Sequence, residues 1–266
     1  MKELSKDLIE KADGVALEIY KDALQPAFRP IGEIMSFLPR TVRLCLSGWE
    51  KWLINGEESL KLTAKAIEEK VMKIPEEKIV EPEPYVAIPA IQQLSYCQDN
   101  EDLRDLYANL LVSSMNADTR WEVHPAYVDI IKQLSPDEAR IINSVANFKH
   151  NFLPLLDVKA TDKNSLSTQH GGHKLIVTNF TTVGFNVIEH KENICKYVDN
   201  LVRLSLFEIP PTYHLTNPSL YIPLEESEVL GTMIDPYRAR FDVGFYHKVL
   251  VITNLGLSFK RICCSR

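Results

Sequence analysis

The sequence predicts an α+β protein, mostly α: an N-terminal helical region and a central helical bundle, followed by a winged-helix-like C-terminal domain. Three observations predict it. Apolar residues recur at helical spacing through much of the first 148 residues. A complete helix-start signal stands at Ser135. Strand-like runs, HKLIVTNF and KVLVIT, enter only beyond that signal.

Residues 1–73 form the N-terminal helical region. The pattern over 3–25 is a helix, which Pro26 and Pro30 interrupt because proline removes an amide donor and clashes with the preceding turn. A short apolar piece, Ile31 to Leu38, precedes Pro39. Val42, Cys45, Leu46, Trp49 and Leu53 then share one face, with Arg40, Arg43 and Lys51 off it. Asn55-Gly56 stops that helix. Residues 57–73 give another, with Leu60, Ala64, Ile67 and Val71 aligned and Glu57–Lys61 and Glu69–Lys73 spaced as favourable pairs.

The central module spans 74–134. Its opening, IPEEKIVEPEP over 74–84, is expected to run extended as a connector, since a residue before proline is pushed out of the helical region. A short helix follows over Ile88 to Tyr96. Asp99 is placed to cap the next, with Glu101 and Asp102 in its first turn and Leu103, Leu106, Tyr107, Leu110 and Ser114 on one stripe. Pro125 starts a third helix, in which Tyr127, Val128, Ile130, Ile131 and Leu134 are apolar.

The third region, 135–266, opens on Ser135-Pro136-Asp137-Glu138. Serine caps, proline takes the first helical position, and Glu138 reaches back to the Ser135 amide. Ile141, Ile142, Val145 and Phe148 form that helix's core face. Residues 150–190 read as a polar connection with the single strand HKLIVTNF. A helix with Ile194, Tyr197, Val198, Leu201 and Val202 inward runs into the alternating Leu206–Ile209. Ile209 to Leu224, broken by four prolines, reads as loop. KVLVIT is a second strand, and Thr253 opens a final helix with Leu255, Phe259 and Ile262 inward. The order helix, connection, helix, strand, strand, helix suits a winged helix-turn-helix module.

The chain has 266 residues, 45% hydrophobic and 25% charged, which supports a sizeable core and excludes wholesale disorder. A net charge of -6 does not suit a chain that binds nucleic acid over its whole surface. Five scattered cysteines (Cys45, Cys97, Cys195, Cys263 and Cys264) suit reduced thiols in a cytosol. The charged N-terminus lacks an apolar signal core, and no run of about 20 apolar residues is present. A cytoplasmic protein is expected, with peripheral contact at the inner membrane as a further option.

No nucleophile elbow, phosphate-cradling glycine loop or dinucleotide fingerprint occurs, so no enzyme activity, metal or cofactor is expected. His170 and His173 lack the further ligands that zinc wants and read as a polar surface loop. Cys263-Cys264 lacks redox spacing and reads as a pair of buried or fraying thiols. His124-Pro125 could present a titrating ring to a partner, or could serve the orphan amides of the helix it precedes. Asn109, Ser113 and Ser114 could line a site, or could bond within their helix and to its neighbours. Lys191, Lys196 and Arg203 lie on or near the candidate recognition helix of a nucleic-acid-binding alternative. The region 137–266 nevertheless balances 14 Lys/Arg against 13 Asp/Glu. Arg40, Arg43, Trp49 and Trp52 would be the contacts of a membrane-acting alternative over 31–54, and core packing explains the same amphipathic pattern.

Several segments carry a family resemblance: YKDALQPAFRPIG, IPEEKIVEPEP, AIPAIQQLSY, NEDLRDLYANLLVSSMN, VHPAYVDIIKQLSPDEARII, YVDNLVRLSLFEIP and LVITNLGLSFKRIC. Together they resemble the bacterial Abi-alpha, or abortive infection alpha, proteins. The resemblance implies a role in defence against phage by halting or killing the infected cell, with no catalytic residues. It also marks Asn109, Ser113, Ser114, His124 and Pro125 as a possible partner-binding surface. A protein partner or self-association is therefore expected. A phage component or a membrane surface is a further candidate, and nucleic acid a weaker one.

Overall fold

Two groups of elements share one hydrophobic cluster that runs from Ile67 to Cys264. The computed structural model describes residues 66–94, 96–97, 100–145, 151–163 and 173–264. The helices expected before residue 66, with Arg40, Arg43, Trp49 and Trp52, lie outside the described residues, as do Phe148 and His170.

Residues 66–71 are helical and bury Ile67 and Val71. The connector that follows is docked and only partly extended. It contains a short 3-10 turn, Glu76–Lys78. It also pairs with the chain leaving the second helix, through Val80 N–H to Met115 O (2.8 Å) and Ala117 N–H to Lys78 O (2.9 Å). Helix α1 (Pro84–Leu94) starts four residues before the expected Ile88, because Pro84 carries a backbone already set for the first helical position. It buries Val86, Ala87, Ala90, Ile91 and Leu94.

Helix α2 (Glu101–Ser114) is the hub. Its cap is Asn100, not the expected Asp99. The Asn100 side chain accepts from Leu103 N–H at 3.0 Å. Helix α3 (Ala126–Lys132) follows Pro125 as expected. Helix α4 (Pro136–Val145) is opened by the full capping box. Ser135 N–H donates to Glu138 Oε2 at 2.6 Å, and Glu138 N–H donates to Ser135 Oγ at 3.3 Å.

The main departure from the sequence expectation is strand β1 (Phe152–Asp162), which occupies the supposed polar connection. It lies inside the sheet and is buried on both faces along much of its length, so its sequence does not alternate cleanly. Pro154 fits because its nitrogen faces the β2 side. There β2 (Lys174–Phe180) ends opposite Leu156, and the Thr181 hydroxyl donates to the Pro154 carbonyl at 2.9 Å. β2 matches the expected run.

Helix α5 (Ile194–Arg203) packs on β2. It runs into the two-residue strand β3 (Phe207–Glu208). The supposed loop 209–224 then holds a short helix, α6 (Ile222–Glu225), followed by an unexpected α7 (Glu228–Arg238). Strand β4 (Phe241–Ile252) begins well before the expected Lys248. It pairs with β1 without a register break from Phe152↔Val251 to Asp162↔Phe241. Among the described residues the sheet is four-stranded and antiparallel, in the order β2-β1-β4-β3. It adds β1 to the three strand-like runs that the sequence reading expected, HKLIVTNF, Leu206–Ile209 and KVLVIT.

Helix α8 (Asn254–Cys263) returns from the sheet to pack on α2. Thr253 caps it by accepting from Gly256 N–H at 2.9 Å. Glycine is required at 256, because an added Cβ would stand 2.1 Å from the Leu206 carbonyl oxygen.

Candidate functional site

Asn109 and Ser113, four residues apart on α2, face the end of α8. The last carbonyls of a helix have no partner within it. Here the Asn109 amide donates to Cys263 O at 2.9 Å and the Ser113 hydroxyl donates to Ile262 O at 2.9 Å. Lys70 donates to Asn109 Oδ1 at 2.6 Å and lies 3.7 Å from the Asp105 carboxylate. Lys70, Asn109 and Ser113 border a cavity of about 310 Å³, together with Asn116, Thr119 and Arg261. Its polar groups are largely committed. The Thr119 hydroxyl donates to Ser113 O at 2.8 Å, and Arg261 forms an ion pair with Glu122.

Ser114 does not join this group. Its side chain is buried and donates back to Leu111 O at 2.6 Å, within its own helix. His124 is exposed, and its Nδ1 accepts from Ala126 N–H at 3.1 Å, so the ring serves the start of α3. Pro125, also exposed, is the capping residue of that helix.

Two cysteines lie at the same helix end. Burial pushes the Cys264 thiol up to about 12 and raises Cys263 well above its ordinary value. Both are therefore protonated at neutral pH, the opposite of an activated thiolate. Cys195 on α5 is likewise pushed up to about 11, chiefly by burial.

Lys191, Lys196 and Arg203 are exposed on α5 and the turn leading into it. They do not form an uninterrupted positive stripe, because Glu192 and Asp199 are exposed among them. Lys196 donates to Asn193 Oδ1 at 2.9 Å, and Arg203 donates to Gln133 Oε1 at 2.9 Å and to Asn200 Oδ1. The Lys191 amine stands 5.8 Å from the centre of the Phe185 ring.

Two polar nodes were invisible to sequence reasoning. Asp137, read only as a first-turn acid, is 4% exposed. Its carboxylate accepts from Glu189 N–H (2.9 Å), His190 N–H (3.0 Å), the Tyr197 hydroxyl (3.0 Å) and Arg140 (3.0 Å). Arg140 also reaches Asp102 and Glu189, both at 2.8 Å. The second node joins three strands. Lys248 donates to both Asp157 oxygens (3.0 and 3.1 Å) and to Asn179 Oδ1 (2.6 Å). Asn179 sits at φ 58°, a left-handed conformation that asparagine tolerates better than most residues. Its amide N–H meets Asp157, and its side chain meets Asp199 on α5. Apart from the Asp137–Arg140 pair, three residues apart, the members of both nodes are brought together over long separations and leave no local sequence signal.

The outer face of α1 carries the exposed apolar side chains of Tyr85 and Ile88 beside an exposed Gln92, and Tyr96, beyond the helix end, is exposed as well. Trp121 is 75% exposed, its ring N–H donating to Asp118 O.

Comparison with known proteins adds the following. No functionally curated protein matches the chain. A solved structure of an uncharacterized protein from the marine bacterium Alcanivorax borkumensis SK2 is similar at 14% identity and a TM-score of 0.32, covering 51% of this chain and 90% of that one. The sequence profile described as abortive infection alpha matches residues 55–263, which takes in every named element of the fold, from α1 to α8. The chain therefore belongs to the abortive infection alpha family.

Proposed function

We propose that this protein serves bacterial defence against phage by abortive infection, and that it acts through protein contacts and without catalysis of its own. Membership of the abortive infection alpha family is the observation that carries the defence part. The contact part is supported by the exposed apolar side chains of α1 and by Trp121. Asn109, Ser113, Ser114 and His124 are committed to backbone groups and so have a structural task, which leaves the exposed side chains of α1 and Trp121 as the proposed contact surface.

The region from Ser135 onward is read as a winged-helix-like docking module in which α4 packs against α5 beside the sheet. The acids interspersed among Lys191, Lys196 and Arg203 favour a protein over a nucleic acid as its partner. The protein is expected to work in the cytoplasm. No helix among the described residues is long and apolar enough to cross a membrane.

The test is a phage challenge of a bacterial host that expresses the full chain. Plating efficiency should fall, and infected cells should stop growing or die before releasing progeny. Unchanged plaque number and unchanged burst across a broad phage panel would refute the reading. A matched strain carrying Tyr85→Ser and Ile88→Ser should lose protection while keeping the protein folded and abundant.

A further inference from the structure

Strand β4 is paired fully on one side only. Ile252 N–H donates to Asn151 O (3.1 Å) and Lys163 N–H donates to Arg240 O (3.4 Å), so even-numbered backbone groups of β4 face β1. Thr253 N–H donates to Leu206 O (3.0 Å), so odd-numbered groups face away from β1. Strand β3 takes up that outer side only at Val251 and Ile252. It stops there because Pro210 and Pro211 follow and have no amide to donate. Among the described residues, the outward backbone groups of Val243, Phe245 and His247 meet no hydrogen-bonding partner.

This edge carries little of the usual protection, namely the charge of Asp242 and the Lys159 amine that stands 4.3 Å from the centre of the Tyr246 ring. Natural edges are blunted by lysine, proline or a bulge. The opposite edge strand, β2, has Lys174 at its start and register breaks in its pairing with β1. From Phe241 to His247 there is no lysine, arginine or proline, and the register with β1 is unbroken. Phe245 is 38% and Tyr246 45% exposed, and the space above Gly244 is open.

We propose that a second copy of this chain docks here, β4 against β4, antiparallel about a two-fold axis through Phe245. An axis through an outward-facing residue puts a hydrogen-bonded pair at its centre, whereas one through Gly244 would set two bare glycines opposite each other and one through Tyr246 would set Gly244 opposite Lys248. A centre at His247 would need Val251, which β3 already holds. A centre at Val243 would leave His247 without an opposite residue in β4. Centring on Phe245 uses the whole open stretch. It sets Val243 opposite His247, so the outward hydrogen-bonding groups of both copies coincide. It sets Gly244 opposite Tyr246, whose ring can cover the bare glycine backbone of the second copy. It sets Asp242 opposite Lys248, so no like charges meet across the new pair. An unrelated extended peptide would have no reason to match this register, and a parent chain that stays monomeric is the outcome that would favour it.

The experiment is light scattering of the full chain over a concentration series reaching tens of micromolar. A dimer mass is expected. Phe245→Pro removes an outward amide and leaves the β1 ladder whole, so it should yield a monomer with native circular dichroism. Tyr246→Pro removes an inward amide and should unfold the sheet. Phe245→Lys, which sets two ammonium groups on the axis, should weaken the dimer by at least about tenfold. It decides the matter if the proline variant does not fold. Phe245→Cys should give a reducible covalent dimer absent from the parent, since a hydrogen-bonded antiparallel pair holds its Cα atoms about 5.5 Å apart. A monomeric parent throughout the series, or a dimer untouched by Phe245→Lys, overturns the proposal.

Discussion

The Asp137 carboxylate gathers two backbone amides, a phenol and a guanidinium while almost wholly buried. Burial alone would raise its pKa. The Glu189 and His190 amides, the Tyr197 hydroxyl and Arg140 outweigh it, and the carboxyl lies below its ordinary 3.8. The sign follows from linkage. A depressed carboxyl stabilises the fold fully above its unfolded value, and that contribution is lost as pH falls through the folded value. Asp137→Asn should therefore cost about 3 kcal/mol at pH 7, since partners are left buried and unmatched. Urea denaturation at pH 7 and pH 3 should show the gap between variant and parent narrowing in acid. A gap that stays constant would place the stabilisation in packing instead of charge. Asp137 was legible as a helix-start residue, because that signal is local. Arg140 stands three residues on, but the other partners, the Glu189 and His190 amides and the Tyr197 hydroxyl, lie over 50 residues downstream (|i−j| 52 to 60), and no local pattern encodes them.

At the scale of elements, end signals were the most legible feature. The capping box at Ser135 and the Thr253 cap of α8 formed as read, and the cap of α2 moved by one residue to Asn100. Each is a bond between residues three apart, so the sequence suffices to specify it. The end of α5 is different. Ser205 holds φ 57°, while Leu206 N–H donates to Leu201 O at 3.1 Å and Ser205 N–H to Val202 O at 2.9 Å. That is a Schellman end with serine at the position glycine prefers. Ser205→Gly should stabilise the protein by about 1 kcal/mol, as the left-handed penalty on a side chain exceeds the added freedom of the unfolded chain. The midpoint of chemical denaturation reads this directly, and a lower midpoint would contradict it. Thr253 Oγ1 donates to the Ser205 carbonyl at 2.6 Å, a bond that the substitution keeps.

For the whole molecule, the joint between α2 and α8 ties the chain's last described helix to its central one. Asn109 and Ser113 hold it by supplying donors to the Cys263 and Ile262 carbonyls. Replacing both by alanine should cost about 2 to 4 kcal/mol, because two part-buried acceptors lose their partners. Thermal unfolding measures that cost. Phage protection, where the double variant loses it, should return at a lower growth temperature that restores the folded fraction. Loss of protection at every temperature, with the fold intact, would instead make these residues a contact surface.

Local pattern specified the helices from Glu101 to Val145, α5 and α8, the caps at Ser135 and Thr253, and the family to which the chain belongs. These properties rest on short-range periodicity, on caps three residues long and on motif strings. Only the tertiary structure decided that 152–162 is an inner strand, that 228–238 is a helix and that β4 is long. It also decided that Asp137, Asp157, Asn179 and Lys248 meet. A strand buried on both faces loses the alternation that would betray it, and a polar node gains its meaning from partners far away in the chain. For the same reason Asn109 and Ser113, legible as polar residues on an apolar stripe, showed their role only once α8 came to rest against them.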